Sequence, residues 1–235
     1  MKKIIVEPQI FEKFPDFTRG IIIVRDIKNA ASNAEIEKIL QEAITQEVGR
    51  HSVDSALVNA WDRVHAAFGS NPNKFPPSIK SLIKRIDKGG SIPFINSVVA
   101  LFNYISIKHL IPCGGDDVQK IEGNLLLGFA VGNEPFIPLG GGEKENPDPG
   151  EVIYYDDRSL NIMCRRWNWR NGDFTKITPE TKEMVINIDG IGPAGRDLIL
   201  SARDELLNLL TVHCGADATA DVLYEGKTEV ECEIG

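Results

Sequence analysis

Nothing in this chain is spaced to hold a metal. Its four cysteines, Cys113, Cys164, Cys214 and Cys232, are too far apart for a zinc-binding pair, and its four histidines have no matching spacing. Reduced thiols, no metal and no cofactor are expected. Long apolar runs are missing too. None reaches membrane-spanning length, and the start, MKKIIVEPQIF, lacks the apolar core and small-residue cleavage site of a secretory leader. The expected location is cytoplasmic, with no membrane partner. Positive charge is also short. The balance of 26 Lys and Arg against 34 Asp and Glu gives a net charge of −8, which argues against a broad, sequence-independent grip on nucleic acid and against DNA as a partner. With no evident linker, internal repeat or obligate protein partner, the 235 residues read as one globular domain over 1–235.

Charge is nevertheless concentrated in one place. Residues 158–176 hold Arg158, Arg165, Arg166, Arg170 and Lys176 against Asp173 alone. Inside this stretch, Arg165-Arg166-Trp167-Asn168-Trp169-Arg170 is followed by Asn171-Gly172, a two-residue hairpin signal. If 160–170 is a strand, its two-residue period puts Arg165, Trp167 and Trp169 on one face and Arg166, Asn168 and Arg170 on the other, with no mixture of the two sets. Two readings of the hexamer stand. A row of guanidinium forks and an amide suits a planar, anionic or hydroxyl-rich ligand. Arginine stacked on indole and paired to neighbours such as Asp173 equally makes a structural corner.

The rest of the chain reads as a frame. Ile21–Val24 is a continuous apolar run that fits a buried strand, and Ser32-Asn33-Ala34-Glu35 caps a helix that Gly49 ends. Further helices are expected over about 52–68, 78–86, 95–107 and 196–212, and strands over 125–131, 151–155 and 184–189. A hairpin over 222–234 closes the chain. His65 falls beside the apolar stripe of its helix and reads as a surface or half-buried residue. Lys80, Lys84, Arg85 and Lys88 read as a solvated helix face. Pro112-Cys113-Gly114-Gly115-Asp116-Asp117 reads as an acidic loop, and the glycine-rich tract 140–150 as a mobile loop or lid, since no phosphate-loop pattern follows it.

From Phe75 to about Asp189 the order of signals resembles the tRNA-editing module of the phenylalanyl-tRNA synthetase beta subunit, its third and fourth domains taken together. Ile95-Asn96-x-Val98-Val99 followed by Asn103-Tyr104 looks like that family's INxVVDxTNY helix, and Pro112 with Asp117 falls where it has QPxHAFD. Glu134, Phe136 and Leu139 follow in family order, then the acidic turn at Asp156-Asp157. The CRRWNWRNGDFT run looks like stand-alone relatives of the module. Ala100, Gly114 and the arginine-tryptophan run depart from the family's aspartate, histidine and glycine-rich turn, which fits a different pocket.

The resemblance implies an α+β domain, a three-layer sandwich of mixed β-sheets with helices packed on one side. It implies as partner the acceptor end of a mischarged aminoacyl-tRNA, hydrolysed at its ester. Asn168, Thr181 and Asp189 are then the expected catalytic residues. Asn96, Asn103, Asp116, Asp117, Arg165, Arg166, Trp167, Trp169 and Arg170 are the expected substrate-binding set. An aminoacyl ester is already activated, so placing a water and stabilising an oxyanion suffices without a triad or a metal. Room at Gly114 and Gly115 with charge at Asp116 and Asp117 points to a polar or basic amino acid. Two other readings remain: a module that binds a tRNA end or an amino-acid derivative without turnover, and a subunit contact built on the Arg/Trp run.

Overall fold

The computed structural model describes residues 2–234. Two sheets stack face to face. The first is four-stranded and antiparallel, in the order β3 (Cys113–Asp117), β8 (Met184–Gly190), β2 (Thr18–Asp26), β9 (Asp217–Leu223). The second runs β10 (Glu229–Cys232), β1 (Lys2–Val6), β4 (Leu125–Phe129), β5 (Val152–Asp156), β6 (Ile162–Arg165), β7 (Arg170–Asn171), and is mixed because β1 and β4 are parallel. Helices α5 (Ser97–His109) and α6 (Arg196–Cys214) lie on the four-stranded sheet, with α2 (Ala34–Glu47) and α4 (Ser78–Asp87) packed against α5. Helices, sheet and sheet make the three layers of an α+β sandwich.

The sequence explains this layering. In β2, Ile21 to Val24 are all buried, as they must be in an inner strand covered by helices on one face and the second sheet on the other. Helix α6 settles so close that a Cβ on Gly190 would fall 2.4 Å from the Ile199 side chain. Helix α5 is apolar nearly all round, and its cap residue Asn96 is fully buried yet satisfied. Its Oδ1 accepts from Val99 N–H at 2.9 Å and its Nδ2 donates to the Ile177 carbonyl at 3.2 Å.

Four expectations need correction. The opening residues, read only for a leader, form β1 and the short α1 (Pro8–Lys13), and β1 is an inner strand of the six-stranded sheet. The acidic loop at 113–117 is β3, the edge strand of the other sheet. The helix expected from Ser52 starts as a 3-10 turn, and its α-helical part, α3, spans Ala56–Ala67. The closing hairpin keeps its turn, bridged between Tyr224 and Lys227, but its arms part: β9 joins one sheet and β10 the other. Neighbouring strands in sequence here lace the two sheets together along one side.

Candidate functional site

Strand β6 ends at Arg165, and the chain reverses through Arg166–Trp169 rather than at Asn171-Gly172. Arg166 and Trp167 adopt left-handed φ values of +48° and +65°. Each such conformation in a side-chain-bearing residue costs on the order of 1 kcal/mol and persists only where the surroundings enforce it. The two-residue period therefore stops at Arg165. The expected separation of faces is overturned: Trp167, Asn168, Trp169 and Arg170 all line one cavity.

What enforces the turn is a cluster of carboxylates from the glycine-rich tract and the residue before β5. Arg165 makes a bidentate pair with buried Glu151, at 3.0 and 2.8 Å, and a third bond to Glu145 at 2.8 Å. Arg166 pairs with Asp148 at 2.8 Å and stacks on the Phe75 ring, 3.9 Å from its centroid. The partner expected from sequence, Asp173, instead holds Lys176. Trp167, 2% exposed, fills the space beneath, edge-on to Phe14, Phe17 and Trp61. The tract 140–150 is consequently tied down, and its neighbour Phe136 packs with Ala130, Ile153 and Ile162 on the outer face of the six-stranded sheet.

The cavity above this turn has a volume of about 330 Å³ and reaches between the two sheets. At its base Arg19 of β2 faces Asp189 of β8 across the ladder, and the two side chains make a bidentate pair at 2.7 and 2.8 Å. Asp189 also accepts from Trp167 Nε1 at 3.0 Å. Arg19 is 2% exposed, with its guanidinium 4.8 Å above the Tyr154 ring. Burial works against its charge, but the Asp189 carboxylate outweighs burial and holds the guanidinium above its ordinary value. Among the described residues its Nη1 has no hydrogen-bond partner. A buried donor without a partner is costly.

A second unpaired atom belongs to Asn168. His65 of α3, fully buried, places Nδ1 3.2 Å from the Phe75 carbonyl and Nε2 3.0 Å from Asn168 Oδ1, while Asn168 Nδ2 has no partner among the described residues. A carbonyl only accepts, so Nδ1 carries the ring proton. Burial pushes the imidazole down to about 4, so at neutral pH Nε2 is a lone pair facing an oxygen. Turning the amide over cures both faults: Nδ2 donates to Nε2, and the carbonyl oxygen becomes the open group.

A second cavity of about 450 Å³ adjoins the first. Gly114, Gly115, Asp116, Leu139 and Asn171 line both. Asp116 is buried, and its carboxylate accepts from the Thr175 hydroxyl at 2.5 Å. Burial raises the carboxyl to about 7, against the opposing pull of the Thr175 hydroxyl and the Arg19 charge. A carboxyl poised near neutrality in a cleft can take and return a proton.

The remaining expected residues fall into two groups. Asn103 lines the outer cavity, and Arg170, only loosely held by Glu145 at 3.3 Å, lines the inner one. Asn96, Asp117 and Thr181 line neither. Thr181 donates to Asp117 Oδ2 at 2.9 Å and Asp117 Oδ1 accepts from Gln119 N–H, so both hold loops beside β3. Alternation along β3 sends Asp116 and Asp117 to opposite faces, so only one of the two carboxylates meets a ligand. Arg19, Tyr154 and Asn187 were not anticipated, and His65, expected at the surface or half-buried, is fully buried. Their pairing spans 33 to 170 residues in sequence, and no local pattern marks it.

A comparison with curated proteins found no match. Among solved structures, an N-terminal fragment of the phenylalanyl-tRNA synthetase beta subunit from Pyrococcus horikoshii aligns with 96% of this chain at 13% identity and a TM-score of 0.47. This chain spans 52% of that one. The B3/4 domain model matches residues 60–214. That span carries most of α3, all of α4 to α6, strands β3 to β8 and both cavities apart from Arg19, and on it the chain belongs to the B3/4 domain family, found in the phenylalanyl-tRNA synthetase beta subunit.

Proposed function

We propose that the protein is a trans-acting deacylase that hydrolyses the ester of a mischarged aminoacyl-tRNA, working in the cytoplasm where such esters are made. The observation that carries this reading is Asp116, a buried carboxyl raised to about 7 where two cavities meet, with Arg19, whose buried Nη1 has no partner among the described residues, in the lining of one of them. In the reaction, the Asp116 carboxylate takes a proton from a water as its oxygen attacks the ester carbonyl. Arg19 Nη1 donates to the oxyanion that forms. Collapse breaks the acyl–oxygen bond, Asp116 returns its proton to the ribose oxygen, and free amino acid and tRNA leave. Asp189 keeps Arg19 charged and aimed, and Trp167 braces Asp189. Asn168, Trp169 and Arg170 hold the substrate from the turn.

The test is turnover. Catalytic amounts of protein should release free amino acid from tRNAs charged with aromatic, aliphatic and basic residues, best from a polar or basic one, and Asp116→Asn should abolish release. Stoichiometric binding with no release from any charged tRNA would support the non-catalytic module instead.

A further inference from the structure

The buried stripe by which α2 packs on α5 runs Ile36, Leu40, Ala43, Ile44, and its last position is Glu47. A leucine there would have continued the stripe. Glu47 is instead a carboxylate 2% exposed, and among the described residues its Oε1 has no hydrogen-bond partner. Taking a carboxylate out of water without a donor is strongly unfavourable. The local backbone adds to the negative potential. Glu47 is the last residue of α2, where unpaired carbonyls make the negative end of the helix, and no basic residue of the last turn answers it.

Glu47 lines a cleft of about 280 Å³ in the helical layer, and none of the residues around this cleft lines either cavity beside β3. Its walls are aliphatic, from Ile39 and Ala43 of α2, Ile107 of α5 and Leu209 of α6. Two cations also line it, and neither donates to Glu47. Arg50 is 65% exposed and stays 4.0 Å from Glu47 Oε2, beyond hydrogen-bonding distance. The Lys108 ammonium donates to Glu205 Oε1 at 2.6 Å and to the Tyr104 hydroxyl at 3.1 Å. Glu42, an exposed residue, adds a second carboxylate to the lining and is met only by Lys38 at 3.9 Å.

We propose that this cleft binds an aliphatic diamine, with one ammonium on Glu47, the carbon chain along Ile39, Ile107 and Leu209, and the other ammonium on Glu42. Each part of that chemistry answers an observation. A buried acceptor without a donor calls for a charged group that only donates, as an ammonium does. Aliphatic walls pack a carbon chain. Two carboxylates in one lining call for two ammonium groups. A metal ion is the poorer occupant, since no three His, Cys, Asp or Glu side chains among the described residues are grouped to ligate one. The cleft stands apart from the deacylase reading, and its failure would leave that reading untouched.

Titrating 1,4-diaminobutane into the native protein at constant ionic strength should give saturable NMR shift changes at the C-terminal end of α2 and the facing residues of α5, and should raise the melting temperature. Glu47→Gln keeps the shape and removes the charge, so it should weaken that binding about ten-fold or more and abolish the thermal shift. Glu42→Lys, at an exposed position, should weaken it about two- to five-fold, and it carries the test if Glu47→Gln does not fold. Neither ammonium chloride nor 1-butanol, which supply the charge and the chain separately, should reproduce the shifts. Absence of saturable shifts, the same shifts from ammonium or potassium chloride, or unweakened binding in either folded variant would overturn the assignment. Saturable shifts centred on the cavity residues Asn103 and Gly114 instead of on α2 would overturn it equally.

Discussion

Burial lifts the Asp116 carboxyl to about 7 even though the Thr175 hydroxyl and the Arg19 charge pull it down. The folded chain therefore holds this proton more tightly than the unfolded one, and its stability is fully present below the unfolded carboxylate range and lost as pH rises to about 7. A rise from the ordinary carboxylate value to about 7 corresponds to roughly 4 kcal/mol. Asp116→Asn should accordingly be more stable than the native chain at pH 8, by about that order, and no more stable at pH 4, while turnover disappears. Urea unfolding at the two pH values reads this directly, and an unchanged difference between them would mean Asp116 is not the buried acid. Asn168 gives a second prediction at this scale. Nitrogen NMR of His65 at neutral pH should show Nδ1 protonated and Nε2 bare, and Asn168→Asp, which sets an acceptor against that lone pair, should raise the imidazole pKa well above about 4. A neutral ring protonated at Nε2 would reverse the assigned amide. The sequence marked Asp116 and Asn168 as polar residues in unusual company. It could not mark Arg19 or His65, because a strand arginine and a helix histidine look ordinary until their partners, 170 and 103 residues away, are brought to them.

The helices at Ala34–Glu47, Ala56–Ala67 and Ser97–His109 were legible because a 3.6-residue period is local, and for the first the capping pattern around Asn33 was legible as well. The Arg/Trp turn was not, because a tight reversal through two left-handed non-glycine residues has no local signal. Its cause lies in Glu145 and Asp148, which sequence alone assigned to a mobile loop or lid, and in Glu151, which it assigned to the start of a strand. These carboxylates are not equivalent, and that gives the prediction for this element. Glu151 is buried against Arg165 and Arg166, so Glu151→Ala leaves guanidinium groups buried without their main partner and should cost about 3–5 kcal/mol. Glu145 is half-exposed and joins the loop to Arg165 and Arg170. Glu145→Ala should lower the melting temperature little but speed tryptic cleavage after the exposed Lys144, which unfolding experiments combined with limited proteolysis would separate. Equal effects of the two substitutions on global stability would show that the loop is not a separable strap.

At the scale of the molecule, the −8 net charge and the local excess of cations at 158–176 made opposite suggestions about nucleic acid, and the fold decides between them. Arg165 and Arg166 are paired with Glu145, Asp148 and Glu151, leaving exposed Arg158, with Arg170 and Lys176 in exposed pairs to Glu145 and Asp173, as the groups of that stretch that can meet phosphates. The basic face of α4 is thinned as well, since Lys80 is tied to Asp62. On the proposed function, a protein so built holds a tRNA end by its cavities and neutralises only about two or three phosphates. For a single strand that number sets the slope of log affinity against log salt at about −2 or shallower. Measuring affinity for charged tRNA over a salt series should give that shallow slope, with Lys84→Ala, Arg85→Ala and Lys88→Ala leaving it unchanged. A slope several-fold steeper, flattened by those three substitutions, would mean that α4 lies along the tRNA backbone and that recognition extends well beyond the acceptor end.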